Sequence, residues 1–243
     1  MTLLDLILPS PAENLALDEA LLDAAEAGTG EEVLRFWESP TPFVVVGYAN
    51  KIVSEVNVAA CETRGIPIFR RCSGGGTVVQ GRGCLNYAVV LRITNDGPTR
   101  NISTANQFIM ERNRHALVSL TSDSRLQTQD LKVCGHTDLA LGLLKFSGNA
   151  QRRRKSFLLF HGTLLLNFDL PLISKLLNMP SLQPDYRDGR PHERFITNLN
   201  LPTEIVKQAL ATEWQANANS TSQPLLPSAL VEKYNSPEWN RKF

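Results

Sequence analysis

Apolar residues recur along this chain with two different periods, and the changes of period mark out its elements. Ser10-Pro11-Ala12-Glu13 reads as a capping box with proline at the first helical position. The stretch NLALDEALLDAAEA that follows puts Leu15, Leu22 and Ala25 on one side, with Ala16 and Leu17 beside them, and predicts a half-buried helix that Gly28 and Gly30 end. Residues 32–36 and 43–47 read as strands, the second carrying the β-branched run Val44-Val45-Val46 that should be fully buried. A helix is expected over 53–64, then strands over 66–69 and 85–93. A helix over 107–120 follows, with Ser103 or Thr104 as its N-cap.

Beyond residue 139 come two apolar runs, LALGLLKFSG and SFLLFHGTLLLNF, with Arg152-Arg153-Arg154-Lys155 between them. They predict antiparallel strands joined by a charged connection. Residues 184–194 are polar and turn-rich. Thr203 should cap a helix over 204–216, residues 216–224 (ANANSTSQP) read as a loop, and 229–234 as a short closing helix. Strands and helices interleave without a βαβ rhythm, which predicts an α+β fold with a mainly antiparallel sheet. With no linker-like stretch or internal repeat, residues 1–243 are expected to be one catalytic-sized domain.

Composition narrows the function classes. The 243 residues are 42% hydrophobic, enough for a substantial core. Basic and acidic residues nearly cancel, at 25 and 24, so no global field favours nucleic acid. The chain has no apolar run of ~18 residues, so no membrane span is expected, and its start lacks the marks of a signal peptide. Cys61, Cys72, Cys84 and Cys134 form no CxxC pair and no zinc spacing, as expected of free thiols in the cytoplasm.

The strongest candidate for chemistry is Arg70-Arg71-Cys72-Ser73-Gly74-Gly75-Gly76-Thr77. Glycines let main chain approach a ligand and reach positive φ, bare N–H groups can form an anion nest, and arginine offers planar charged donors. A tight turn with a flexible tip accounts for the glycines equally well. The run is neither a P-loop, lacking the Gly-Lys-Ser/Thr ending, nor a dinucleotide fingerprint. A second candidate is Lys145-Phe146-Ser147-Gly148-Asn149-Ala150-Gln151-Arg152, a lysine ahead of a small-residue turn, followed by His161-Gly162-Thr163. Taken singly, Lys145 also fits a solvated strand face and His161 a structural histidine.

Taken in order, RRxSGGG, GxTDL, KxSGNAQxR and HGTLLL resemble the lipoate–protein ligase family, with similarity from Asn14-Leu15-Ala16-Leu17-Asp18-Glu19 to Glu238-Trp239-Asn240. The resemblance implies the α+β core shared with biotin–protein ligases and class II synthetases. It implies activation of lipoate or octanoate by ATP and Mg2+ to an acyl-adenylate, then transfer to a lysine of a lipoyl acceptor domain of the E2 or glycine-cleavage carrier type. Lys145 would be catalytic, stabilising charge at the acyl carbonyl and phosphate. Arg71, Ser73, Gly74, Gly75, Gly76, Thr77, Val78, Gly148, Asn149, Ala150, His161, Gly162 and Thr163 would hold the acyl-adenylate. Asp138 is a candidate metal ligand. Val78, Val79 and residues 164–166 are candidates for an acyl slot, or ordinary core.

Two departures matter. Many ligases carry a His-Asp-x-Gly-Asn turn where this chain has Gln80-Gly81-Arg82-Gly83-Cys84, closer to an octanoyltransferase turn. The chain also stops at the transferase-sized core, without an accessory C-terminal domain, so a separate accessory subunit is one expectation. The rival reading is an octanoyl or lipoyl transferase that holds the acyl group as a thioester. Its nucleophile would be Cys134, expected in a loop ahead of Lys145 with His136 nearby; Asn178-Met179-Pro180-Ser181 offers no cysteine for another transferase class. For Cys72 and Cys84 the expectation is packing beside the glycine loop. A third reading is a non-catalytic accessory or lipoyl-domain-binding protein. The basic cluster at 152–155 lacks interleaved aromatics, so it suits an acidic acceptor domain better than nucleic acid, and neither nucleic acid nor membrane is expected as a partner.

Overall fold

The computed structural model describes residues 1–121, 130–217 and 224–243. Seven strands form the main sheet in the order β1 (Thr2–Asp5), β2 (Val33–Trp37), β6 (Cys84–Arg92), β10 (Phe157–Leu165), β9 (Leu144–Arg153), β8 (Asp138–Leu141) and β7 (Leu131–Cys134). Only the β1–β2 pair is parallel. A smaller sheet pairs β3 (Phe43–Val46) with β4 (Ile68–Arg70) in parallel and with β5 (Val78–Gln80) antiparallel. The fold is therefore α+β with a mainly antiparallel sheet flanked by helices, as the pattern predicts.

Strand β6 shows why the sheet sits at the centre. Residues 84–91 are all buried, and alternate side chains go to opposite faces. Leu85, Tyr87, Val89 and Leu91 join one core with Ile109, Met110 and Leu117 of helix α4 (Ile102–Thr121). Ala88 and Val90 join another with Leu22 and Ala25 of α1 (Pro11–Glu26). Helices thus cover both faces, and the valine run of β3 is buried as expected. The Ser10 box is present in full: its Oγ accepts from the Glu13 N–H at 3.2 Å, and the Ser10 N–H donates back to Glu13 Oε2 at 2.8 Å.

Several expectations needed correction. The helix expected over 53–64 is two, α2 (Ile52–Glu55) and α3 (Val58–Thr63). Val56 turns extended to bridge Leu177, and Asn57 donates its N–H to Leu176 O at 2.8 Å while capping Ala60. Ser103 and Thr104 lie inside α4; Asn101 accepts the Thr104 N–H at 3.0 Å instead. Thr203 is the first residue of α7 (Thr203–Glu213) and caps nothing. Strands β1, β5 and β7 have no counterpart in the pattern reading, being three or four residues long. After α5 (Leu170–Leu176) the turn-rich stretch holds a 3-10 turn (Asp185–Arg187) and α6 (His192–Phe195). The closing helix is α8 (Ser228–Asn235), followed by an unexpected α9 (Pro237–Asn240). Residues 218–223 of the expected loop lie outside the described residues. No helix among the described residues is long and apolar enough to cross a membrane.

Candidate active site

The 71–77 loop joins β4 to β5, and Arg71 holds it from within. Its Nε donates to Ser73 Oγ at 3.0 Å, and its Nη2 donates to the carbonyls of Gly74 at 2.5 Å and Gly76 at 2.8 Å. Burial lowers the guanidinium pKa to about 10, still far above neutrality. Only Gly75 of the three adopts positive φ, at 85°. A Cβ at Gly74 or Gly76 would meet nothing within 4 Å, so packing does not demand glycine there. Open space against bare main chain is what close ligand approach requires.

A buried chain of polar groups anchors this loop. Ser73 Oγ lies 2.6 Å from His161 Nε2, and His161 Nδ1 lies 3.0 Å from Asp18 Oδ2. Asp18 Oδ1 accepts from Arg35 Nη1 at 2.5 Å. A carboxylate only accepts, so Nδ1 carries the proton, and in the neutral ring Nε2 accepts from the Ser73 hydroxyl. Burial by itself would raise the Asp18 pKa; Arg35 and His161 together outweigh it and hold the carboxyl below its ordinary value. The order Ser–His–Asp resembles an acyl-transfer triad, but Ser73 is fully buried and does not line the cavity. The chain holds the loop in place.

Lys145 lies on β9, so the residues after it continue a strand and not the turn expected from sequence. Opposite it, β8 pairs Ala140 with Lys145 and Leu139 with Ser147, leaving Phe146 as an extra residue. Such a bulge re-aims neighbouring side chains. The Lys145 carbonyl accepts from the Thr197 N–H at 2.9 Å, fixing the strand from its other side. Its ammonium sits 2.8 Å from Asp138 Oδ1, while Asp138 Oδ2 accepts from Tyr186 OH at 2.7 Å. Both oxygens of Asp138, the expected metal ligand, are thus engaged. Among the described residues no group of three or more His, Cys, Asp or Glu gathers as a metal site.

Asn149, expected to touch ligand, spends its amide internally. Oδ1 accepts from Tyr87 OH at 2.5 Å, and Nδ2 donates to Thr137 O at 2.6 Å and Ser147 Oγ at 3.0 Å. Tyr87 OH accepts from Asn113, whose Oδ1 accepts from Trp214 Nε1, each at 2.8 Å. The site is wired in this way to α4 and to the end of α7.

A cavity of about 850 Å³ unites these parts. Arg71, Gly75, Gly76, Thr77, Val78, Asp138, Lys145, Gly148, Asn149, Ala150, His161, Gly162 and Thr163 all line it; Ser73, Gly74 and Cys134 do not. Among the acyl-slot candidates Val78, Val79 and Leu165 face the cavity, while Leu164 and Leu166 belong to the core. Trp37, Ile173 and Leu177 add apolar wall. Cys134 ends β7 and is not in a loop. Burial and the charge of Asp138 push its thiol up, away from thiolate. In the basic cluster, Arg153 donates to Thr99 O at 2.8 Å and Arg154 pairs with Asp23 at 2.7 Å, so both are already engaged.

Sequence reasoning missed Asp18, Tyr87, Tyr186, Arg187 and His192, all of which line the cavity. For Asp18 a signal existed: with Asn14 it puts polar groups one turn apart on the helix flank that should be apolar. The 184–192 stretch offers none, because its residues are polar throughout.

An open cavity in which main chain, a paired lysine and an apolar wall converge, set in a mainly antiparallel α+β frame, suits an enzyme of acyl-group attachment. The chain belongs to the lipoyl protein ligase A/B catalytic domain family, which matches residues 10–215. It is 28% identical over 263 residues to octanoyltransferase LipM of Geobacillus kaustophilus, covering 96% of this chain and 94% of that one. The crystal structure of a lipoate–protein ligase A bound with ATP is 26% identical, with a TM-score of 0.79 over 99% of this chain and 98% of that one. A bi-partite lipoate protein ligase of Thermoplasma acidophilum, solved as part of a lipoylation system with its E2 lipoyl domain, shares the fold at a TM-score of 0.81. It is 24% identical, over 99% of this chain and 95% of that one.

Proposed function

We propose that this protein is an ATP-dependent lipoate–protein ligase. It would activate lipoate or octanoate to an acyl-adenylate and transfer the acyl group to a lysine of an E2 or glycine-cleavage type acceptor domain. One observation carries the choice. Among the described residues no cysteine lines the cavity, and burial with the charge of Asp138 pushes the thiol of Cys134 up, whereas Lys145 faces the same cavity as Gly75 and Gly76. A thioester route needs an accessible thiolate; an adenylate route needs a cation and bare amides.

In the first step a carboxylate oxygen attacks the α-phosphorus and pyrophosphate leaves. In the second, the acceptor amine attacks the acyl carbonyl, loses its proton and expels AMP. Lys145 would stabilise the oxygen charge that develops in both steps, with Asp138 holding its ammonium in place and aiming it. The apolar wall would hold the tail and exclude water from the anhydride. Mg2+ suits this site as a companion of the nucleotide phosphates, since one carboxylate with both oxygens engaged offers it no cage.

The likeness to octanoyltransferase LipM favours a second reading, transfer of a preactivated octanoyl group without ATP. Intact-mass analysis of an apo acceptor domain separates the two. Lipoate with Mg-ATP should add the lipoyl mass, with the chain alone or with an accessory subunit supplied. Lys145→Met should slow this by about 100-fold or more, and Cys134→Ser should leave it largely intact. Acylation from octanoyl-carrier protein alone, lost in Cys134→Ser with a thioester trapped there, would establish the second reading instead.

A further inference from the structure

Arg187 is 4% exposed and lines the cavity, yet among the described residues no ion pair includes it. Its Nε donates to Arg190 O at 2.9 Å, and its Nη2 faces Met179 Sδ and His192 Nδ1, each at 3.4 Å. The guanidinium lies 4.6 Å from the ring centroid of Phe195. Nη1 has no partner among the described residues.

The neighbours do not supply the missing negative charge. His192 Nε2 lies 3.1 Å from the Asn178 carbonyl, which only accepts, so Nε2 bears the proton and Nδ1 is left to face the arginine. Burial, with the charges of Arg187 and Lys145 adding to it, keeps that ring below its usual pKa and therefore neutral. Arg190 adds a second cation, but its three nitrogens are spent on the carbonyls of Arg187, Arg194, Leu143 and Tyr186. The buried carboxylate on the same wall, Glu55, is bonded to Ser181. A buried cation without an anion is costly, and a bound anion relieves that cost.

The site is joined to Lys145 through the backbone. Thr197 and Ile196, directly after α6, pair with Lys145, and Tyr186 bonds the Asp138 that holds it. Arg187 thus lines the same cavity as Lys145 and Gly75.

We propose that Arg187 anchors the β- and γ-phosphates of ATP, the part that leaves as pyrophosphate. This rests on the ligase reading for the nucleotide, but not for the anion. The shared chemistry is a phosphate, which the phosphopantetheine arm of an acyl carrier also bears.

Calorimetric titration of the full chain with ATP, inorganic pyrophosphate, AMP and 4′-phosphopantetheine tests it, in wild type and Arg187→Met. The variant should weaken ATP and pyrophosphate by about 10- to 100-fold and leave AMP unchanged. Unchanged ATP and pyrophosphate affinities overturn the proposal, as does a wild type that binds neither. Loss confined to phosphopantetheine overturns the nucleotide assignment. If Arg187→Met does not fold, a structure of the unmutated chain with α,β-methylene-ATP decides: phosphate oxygens on Arg187 sustain the site, and phosphates turned elsewhere sink it. Pyrophosphate bound through Arg187 without ATP-dependent acylation would sink the ligase reading and keep the anion site. Ligation with normal ATP binding in Arg187→Met would do the reverse.

Discussion

At position 162 a Cβ would stand 1.6 Å from Asn149 Oδ1, well inside contact distance. Gly162 pairs with both Tyr87 and Asn149 across β10, so the missing methyl makes room for the bond between those two side chains. Gly162→Ala should push the Asn149 amide off Tyr87 OH and Thr137 O, stranding both. We expect a loss of about 1–3 kcal/mol in denaturant unfolding and at least about a tenfold fall in turnover. Wild-type values for both would show that Asn149 does not depend on this vacancy. Asn149 lines the cavity with both amide donors engaged on Thr137 O and Ser147 Oγ, so its side chain steadies the strand that carries Lys145.

Helix α1 shows how one element serves fold and site together. Its cap at Ser10 sets the phase, after which Asn14 and Asp18 reach Arg35 and Glu19 reaches Lys233 and Tyr234. Polar groups on several sides of a buried helix blur its apolar stripe, although the capping box is plain in the sequence. Ser10→Ala should cost about 1 kcal/mol in thermal or denaturant unfolding, because it removes the Oγ that the Glu13 N–H needs. The KM for lipoate should not move; a raised KM would mean that the cap sets the position of Asp18 in the site. The expected helix over 53–64 shows the opposite case. Its local pattern is helical, but Val56 and Asn57 gain tertiary partners in Leu177 and Leu176 that a continuous helix would deny them.

Across the whole molecule, the Asp18–Arg35 pair ties α1 to the main sheet and, through His161 and Ser73, to the glycine loop. The Asp18 pKa lies below its unfolded value of 3.8 in the folded chain. Its contribution to stability is therefore complete above 3.8 and is lost as pH falls through the folded value. Asp18→Asn should be less stable at neutral pH by about 3–5 kcal/mol, since it strands a buried arginine, and its acid limb should be flatter than that of wild type. Equal acid limbs would show that other carboxyls govern acid unfolding. What the sequence by itself determined is what short-range chemistry writes: the Ser10 cap, the buried valine strand, the glycine loop, and the ordered blocks around Lys145 and His161. Tertiary structure alone decided that Asp18 and His161, 143 residues apart, close one hydrogen-bonded chain. It also decided that Cys134 is not among the residues that line the cavity and that Arg187 is buried in its wall with no ion pair among the described residues. Which distant polar groups pair depends on which segments meet, and that leaves no periodic trace along the chain.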